Sequence, residues 1–386
     1  MVEIFELLIL LDNIKLTFVN KNNNELLIFS PTIEDGGVEK NLFNISNFLA
    51  GKIDKISVVT ANKNKDKFIP KINFICPKNH TWDNSNRVIK SIISIKLSID
   101  YFFNNKKKFV ILSFNNNLFA IILAKLLNTK IIIRSNTSID SYLNGFFKKK
   151  LFKFFLDMAD EIIVNSKSMQ KEFKKVFNLK SVLIYNPIEN KKIIQEKSKR
   201  EIKVKFFQKK YLNILTIGRL VRQKDHLTLI KSLKFIDKNI NYRLLIIGSG
   251  EEKTQIQNII ESQNLTNKVK IIEFQNNIYP YIKYADIFVL TSKYEGLPNV
   301  LIECLALKKI IISTNCKTGP SEILKNGKFG KLIKVGEYKK LGQVISNIKH
   351  NFSYYNQIAK KGHKSIYRFD YQKNCEKYFK VIKKIL

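Results

Sequence analysis

Residues 287–303, IFVLTSKYEGLPNVLIE, run from an apolar strand through a glycine turn into a helix. The stretch 287–292 has the apolar density of a strand buried on both faces. Gly296 supplies the turn, and Pro298 is expected at the first helical position, where a missing N–H costs nothing. The N–H groups from Leu297 to Leu301, Asn299 included, then point out of a helix N-terminus, a place that attracts anions and suits a diphosphate. Glu295 falls in the turn and Glu303 about one helical turn further in. A carboxylate accepts hydrogen bonds from two neighbouring hydroxyls, so Glu303 suits a ribose and Glu295 a sugar at the other end of one ligand. Taken alone, a helix whose early Glu favours the dipole explains the segment equally well.

Working outward, the same strand–turn–helix rhythm repeats. LNILTIG (212–218), YRLLIIG (242–248), VKIIEF (269–274) and KIIIST (309–314) surround this unit. ELLIFSP (25–31), ISVVT (56–60), FVILSF (109–114), KIIIRS (130–135), EIIVNS (161–166) and SVLIYNP (181–187) form an earlier series, with helical patterns such as 38–50 and 117–127 between. Apolar runs alternating with helices predict α/β layers with parallel sheets, and two such series predict two domains with a cleft at the carboxyl ends of their strands. The polar stretch 189–210 is the expected linker.

Several strand ends carry chemistry. Gly218-Arg219-Leu220-Val221-Arg222-Gln223-Lys224 places an Arg fork and a Lys point charge where a diphosphate can be neutralised, ahead of a helix starting near Asp225. Gly248-Ser249-Gly250-Glu251 lets a ligand approach the backbone, although a tight turn accounts for it as well. Thr318-Gly319-Pro320-Ser321-Glu322 reads as a loop and cap near the same edge, able to position a sugar. In the first half, Gly36-Gly37-Val38-Glu39 opens a helix after the first strand and allows a phosphate or sugar to come close.

The 386 residues suffice for two domains, and 45% hydrophobic content excludes a disordered chain. A net charge of +36 from 68 Lys+Arg against 32 Asp+Glu points to anionic partners. It is spread over both halves without a basic-aromatic recognition module, which argues against a nucleic-acid partner. Cys76, Cys304, Cys316 and Cys375 lie far apart, without metal-ligand spacing, and read as free thiols of a reducing cytoplasm. The N-terminal apolar run is short and acidic, unlike a signal peptide, and no stretch reaches the roughly 20 apolar residues of a membrane span. Phe147, Leu151, Phe154, Phe155 and Met158 share one face of a Lys-rich helix. A core-packed helix is the plainer reading, and docking on acidic lipid headgroups the sharper one. His226, His350 and His363 are expected to be structural or on the surface, and His80 lies in a loop.

Together, GGVE, IGRLVRQK, IIGSGEE, the seven-residue spacing from Glu295 to Glu303 within YEGLPNVLIE, and TGPSEIL resemble the family 4 retaining glycosyltransferases over roughly residues 25–386. The resemblance implies a GT-B fold: two Rossmann-like domains with parallel sheets facing across a cleft. It divides the chain into an acceptor-binding domain over 1–196, a nucleotide-sugar-binding domain over 197–370 and a C-terminal helix, 371–386, crossing back to the first domain. Arg219, Lys224 and Glu295 would be catalytic. Gly36, Gly37, Gly218, Gly248, Gly250, Gly296, Leu297, Pro298, Asn299 and Glu303 would bind the donor, with no metal and no cofactor beyond the nucleotide sugar. Many relatives carry a His after a first-domain strand; here Arg134-Ser135-Asn136 stands there, so Arg134 and Asn136 are expected on the acceptor side. The implied activity is transfer of a hexose or N-acetylhexosamine from a UDP-sugar to a glycan or polyprenyl-linked acceptor, at the inner face of the cytoplasmic membrane. The alternatives are a non-catalytic GT-B subunit and a basic nucleic-acid-binding protein.

Overall fold

The computed structural model describes residues 25–34, 36–62, 68–78, 82–105, 109–138, 145–201 and 206–386. Residues 1–24 and His80 lie outside the described residues. The first unit runs β1 (Glu25–Phe29), α1 (Gly37–Leu49), β2 (Lys55–Val59), β3 (Asn73–Ile75), α2 (Arg87–Asn105), β4 (Val110–Ser113), α3 (Asn117–Leu126), β5 (Ile131–Ser135), α4 (Phe146–Leu156), β6 (Glu161–Val164), α5 (Lys167–Phe177), β7 (Val182–Leu183) and α6 (Lys191–Ser198). The second runs β8 (Leu212–Ile217), α7 (His226–Ser232), β9 (Tyr242–Ile247), α8 (Lys253–Ser262), β10 (Val269–Ile272), α9 (Tyr279–Tyr284), β11 (Ile287–Leu290), α10 (Asn299–Ala306), β12 (Ile310–Thr314), α11 (Pro320–Ile323), β13 (Lys331–Ile333), α12 (Tyr338–His350), α13 (Phe352–Lys364) and α14 (Tyr371–Ile385).

Two parallel sheets result, of seven strands in the order 3-2-1-4-5-6-7 and of six in the order 10-9-8-11-12-13. Their central strands are mostly apolar because both faces are covered by helices; β5 and β12 are buried at every position, the polar residues at their carboxyl ends included. Each sheet accordingly has one hydrophobic cluster on each face.

Two segments tie the units together. The stretch read as a polar linker contains α6, and Tyr185, Ile188 and Ile194 pack into a core cluster of the second sheet. Only Ile194 and Ser198 of α6 are buried, which is why its charges dominate the sequence. α14 returns to the first sheet, where Cys375, Tyr378 and Ile382 join the cluster beside α1. Strand β7 ends at Leu183, so Tyr185-Asn186-Pro187 leaves the sheet for the space between the units.

Candidate functional site

In an open parallel sheet, ligands settle outside the carboxyl ends of the strands where the strand order reverses. The second sheet reverses between β8 and β11, which are hydrogen-bonded neighbours, so the loops following them open side by side. They are laced together: Lys293 N donates to Gln223 O at 2.8 Å, Gln223 Nε2 to Tyr294 O at 2.9 Å, and Thr291 Oγ1 to Lys224 O at 3.1 Å. Lys224 Nζ reaches Glu295 Oε1 at 2.5 Å, and Ser292 Oγ donates to the same oxygen at 2.7 Å. The side chain of Lys224 is 17% exposed and that of Glu295 8%, so this pair is largely dry and its geometry fixed. Arg219 is exposed, and its guanidinium makes no hydrogen bond among the described residues.

The helix expected at Pro298 starts one residue later, with Pro298 extended at its N-cap (φ −69°, ψ 109°). Gly296 is where backbone from the two units meets. A Cβ there would stand 1.8 Å from the carbonyl oxygen of Asn136, so only glycine allows this approach. Gly248 and Gly250 have a structural explanation: a Cβ on them would meet the carbonyl oxygens of Gly218 and Leu220 at 1.9 and 2.4 Å. They make room for the backbone of the basic loop itself, with Leu220 N donating to Ser249 O at 2.8 Å.

Glu303 is buried in α10 and ion-paired with Lys40, which projects from α1 of the first unit. Lys40 Nζ also donates to Tyr279 Oη at 2.7 Å, and Tyr279 Oη donates to Glu189 Oε2 at 2.9 Å. Burial, with Glu303 and Glu189 close by, pushes the Tyr279 phenol well above its ordinary range, so it stays protonated. Lys40 and Tyr279 escaped the sequence reading. Lys40 had a usable signal, since it sits three positions after Gly37 in the first turn of α1. Tyr279 had none. Asn299 Nδ2 donates to Gly37 O at 2.9 Å, bringing the Gly36-Gly37 turn onto the start of α10. Burial pushes the neighbouring Glu39 carboxyl up to about 7, against the opposing pull of Arg219.

Three expectations need correction or refinement. Arg134 is not an open cleft residue: it is 1% exposed, with its guanidinium bonded to Tyr378, Asn186 and Asn136, while Asn136 turns its side chain to Arg134 and to Phe114 O. Of the two readings of the 318–324 loop, Glu322 takes the capping one, on a helix of the other unit. It crosses to the first unit, where Lys167 N donates to both of its oxygens at 2.9–3.0 Å and Tyr185 Oη donates at 2.6 Å, capping α5. The Phe-rich helix is divided: Phe152, Phe155 and Met158 pack on the core, whereas Phe147, Leu151 and Phe154 stand exposed.

His226, His350, His363 and the buried cysteines take structural roles. His226 Nε2 lies 3.1 Å from Arg219 O, and burial lowers its pKa to about 4, leaving it neutral. His350 pairs with Asp237, and His363 Nδ1 contacts Leu305 O. Cys304, Cys316 and Cys375 are buried free thiols with raised pKa values, hence unreactive; burial sets Cys316 at about 12. Among the described residues, no group of three or more His, Cys, Asp or Glu is placed to hold a metal ion.

Two Rossmann-like units with parallel sheets, facing across a cleft with the basic and acidic loops of the second unit at its switch point, make up the GT-B architecture. Residues 197–365 match the family described as Glycosyl transferases group 1. An uncharacterized glycosyltransferase of Methanocaldococcus jannaschii is 38% identical over 51% of this chain and 51% of its own length. The N-acetylgalactosamine-N,N'-diacetylbacillosaminyl-diphospho-undecaprenol 4-alpha-N-acetylgalactosaminyltransferase of Campylobacter jejuni is 30% identical over 57% of this chain and 60% of its own length. The matches thus span little more than half of these relatives. Anabaena Alr3699/HepE, solved in complex with UDP and glucose, superposes with a TM-score of 0.76 over 94% of this chain and 100% of its own, at 16% identity.

Proposed function

We propose that the chain is a retaining glycosyltransferase of family 4, moving a hexose or N-acetylhexosamine from a UDP-sugar to a glycan or polyprenyl-linked acceptor in cell-surface polysaccharide assembly. The observation that carries this reading is the convergence of Arg219, Lys224, Glu295, the N-terminus of α10 and Glu303 at one switch point. The diphosphate lies between Arg219, Lys224 and the α10 amides, the ribose hydroxyls on Glu303 and the sugar hydroxyls on Glu295. As the bond from the sugar's anomeric carbon to the diphosphate oxygen breaks, charge grows on that oxygen, and two cations plus aligned N–H groups stabilise it there. The acceptor oxygen bonds to the anomeric carbon on the face the diphosphate leaves, and its proton passes to the departing diphosphate. These charges belong to the protein, so the scheme runs without a metal. The Campylobacter relative, named for a diphospho-undecaprenol acceptor, and the Anabaena structure, solved with UDP and glucose, agree with this ligand class.

Thermal unfolding with UDP-, GDP- and ADP-sugars tests the donor class. A ligand at 100 times its Kd adds roughly 2.7 kcal/mol to apparent stability. The UDP-sugar is expected to raise Tm by several degrees and the others to do less; no rise with any of them sinks the assignment.

An acceptor on a lipid would place the first unit against the inner face of the cytoplasmic membrane. Phe147, Leu151 and Phe154 are 85%, 52% and 58% exposed on one face of α4, flanked by exposed Lys148 and Lys150. No helix among the described residues is long and apolar enough to cross a membrane. Apolar insertion together with Lys attraction to anionic headgroups suits an interfacial helix. The protein is expected to float with phosphatidylglycerol vesicles and not with phosphatidylcholine ones, and the F147S/L151S/F154S variant to lose at least about 90% of that binding. Equal flotation of variant and parent would remove the membrane from the account.

A further inference from the structure

The guanidinium of Arg134 is buried, yet its acceptors are all neutral. Nε donates to Tyr378 Oη at 2.8 Å, one terminal nitrogen to Asn186 Oδ1 at 2.7 Å and the other to Asn136 Oδ1, and the plane lies 5.3 Å from the Phe114 ring centre. A cation withdrawn from water without a counter-charge is expensive, so its hydrogen bonds must do something a neutral side chain would not.

An arginine can only donate. Asn186 must therefore turn its amide oxygen toward Arg134 and its NH₂ the other way. That NH₂ donates to Leu297 O at 3.0 Å and to Asn299 Oδ1 at 2.7 Å. Asn299, having accepted through its oxygen, has its own NH₂ left for Gly37 O at 2.9 Å. The chain Arg134→Asn186→Asn299→Gly37 runs in one sense only. It starts under β5 on a residue held by α14, crosses into the loop that starts α10, and returns to the first turn of α1. The carbonyls of Leu297 and Gly37 can only accept and set the same sense, so what Arg134 adds is the donor that the buried Asn186 Oδ1 would otherwise lack.

We propose that Arg134 is a positioning residue: by donating to Asn186 Oδ1 it anchors the relay through Asn186 and Asn299 that holds the N-terminus of α10 against the Gly36-Gly37 turn and keeps the cleft closed. Its consequence for catalysis rests on the reading of α10 as the donor site, while the closing of the cleft does not.

The decisive variant is Asn186→Asp. It keeps the shape and gives Arg134 a carboxylate partner, so the fold is expected to stand, but it cannot donate to Leu297 O or Asn299 Oδ1. Tyr378→Phe is the gentle companion, removing one acceptor from Arg134 while leaving the packed ring. Small-angle scattering on the ligand-free protein is expected to show a larger radius of gyration for Asn186→Asp than for the parent. With UDP as probe, affinity should hold or tighten, since an open cleft draws Lys40 away from Glu303, while kcat falls at least tenfold, because closure and not donor docking is impaired. An unchanged radius of gyration overturns the proposal, as does a parallel loss of Tm and UDP affinity with kcat intact. If neither parent nor variant binds UDP, the donor-site reading fails and the scattering result still decides the relay.

Discussion

Arg219→Ala is expected to lower sugar transfer by about 10²–10³-fold, the range found when one preorganised donor to a developing oxyanion is removed. The residue is exposed and makes no hydrogen bond among the described residues, so its truncation leaves stability nearly unchanged, within about 0.5 kcal/mol. Lys224→Met should lose at least as much activity, for a different combination of reasons. In the proposed site Lys224 is both a phosphate cation and the partner of Glu295, and removing it leaves a buried carboxylate whose remaining side-chain partner among the described residues is Ser292. A lowered Tm is therefore expected for Lys224→Met and not for Arg219→Ala. Release of nucleoside diphosphate in steady state, with circular dichroism melts of each variant, separates the two effects. Near-parental turnover in both variants would refute the role given to this loop.

The fold was legible because buried parallel strands announce themselves. KIIIRS and KIIIST can hardly be anything else, and each alternates with a helix-length segment. What escaped was short or disguised. β3 is three partly exposed residues at a sheet edge, and α6 hides one buried isoleucine in a helix with three lysines and a glutamate. The site divides along the same line. Glu295 and Glu303 stand at a fixed spacing on one turn and helix, and Arg219 and Lys224 share one loop, so local sequence holds their relation. Lys40 lies 263 positions from Glu303, and Arg134 lies 244 from Tyr378. No local pattern encodes those pairings. An arginine at a strand's carboxyl end reads as cleft-facing, because arginine is rarely buried without a partner; the partners here arrive from α14 and from the stretch after β7.

Glu303 gives the second large effect, and Lys40 makes it diagnostic. On the proposed donor pose, Glu303→Ala removes a charged acceptor for two ribose hydroxyls. Hydrogen bonds to charged groups contribute about 1.5–3 kcal/mol each, so kcat/KM for the nucleotide sugar should fall by about 10²–10⁴-fold, mostly through KM. In the ligand-free cleft, however, Glu303 is already bound to Lys40, whose ammonium is in turn held by Tyr279. A ribose docking on Glu303 has to share or displace that ammonium, so part of the intrinsic affinity is spent on an internal rival. Lys40→Met should then tighten UDP binding while lowering Tm, since the Glu303 carboxylate, 4% exposed, is left without its cation until the ligand arrives. Calorimetric titration of UDP into the parent, Lys40→Met, Glu303→Ala and the double variant resolves the coupling. The affinity gained in Lys40→Met should vanish once Glu303 is gone. If Lys40→Met instead weakens UDP binding in both backgrounds alike, Lys40 is a direct phosphate ligand and does not compete for Glu303. If Glu303→Ala binds UDP as the parent does, the ribose lies elsewhere.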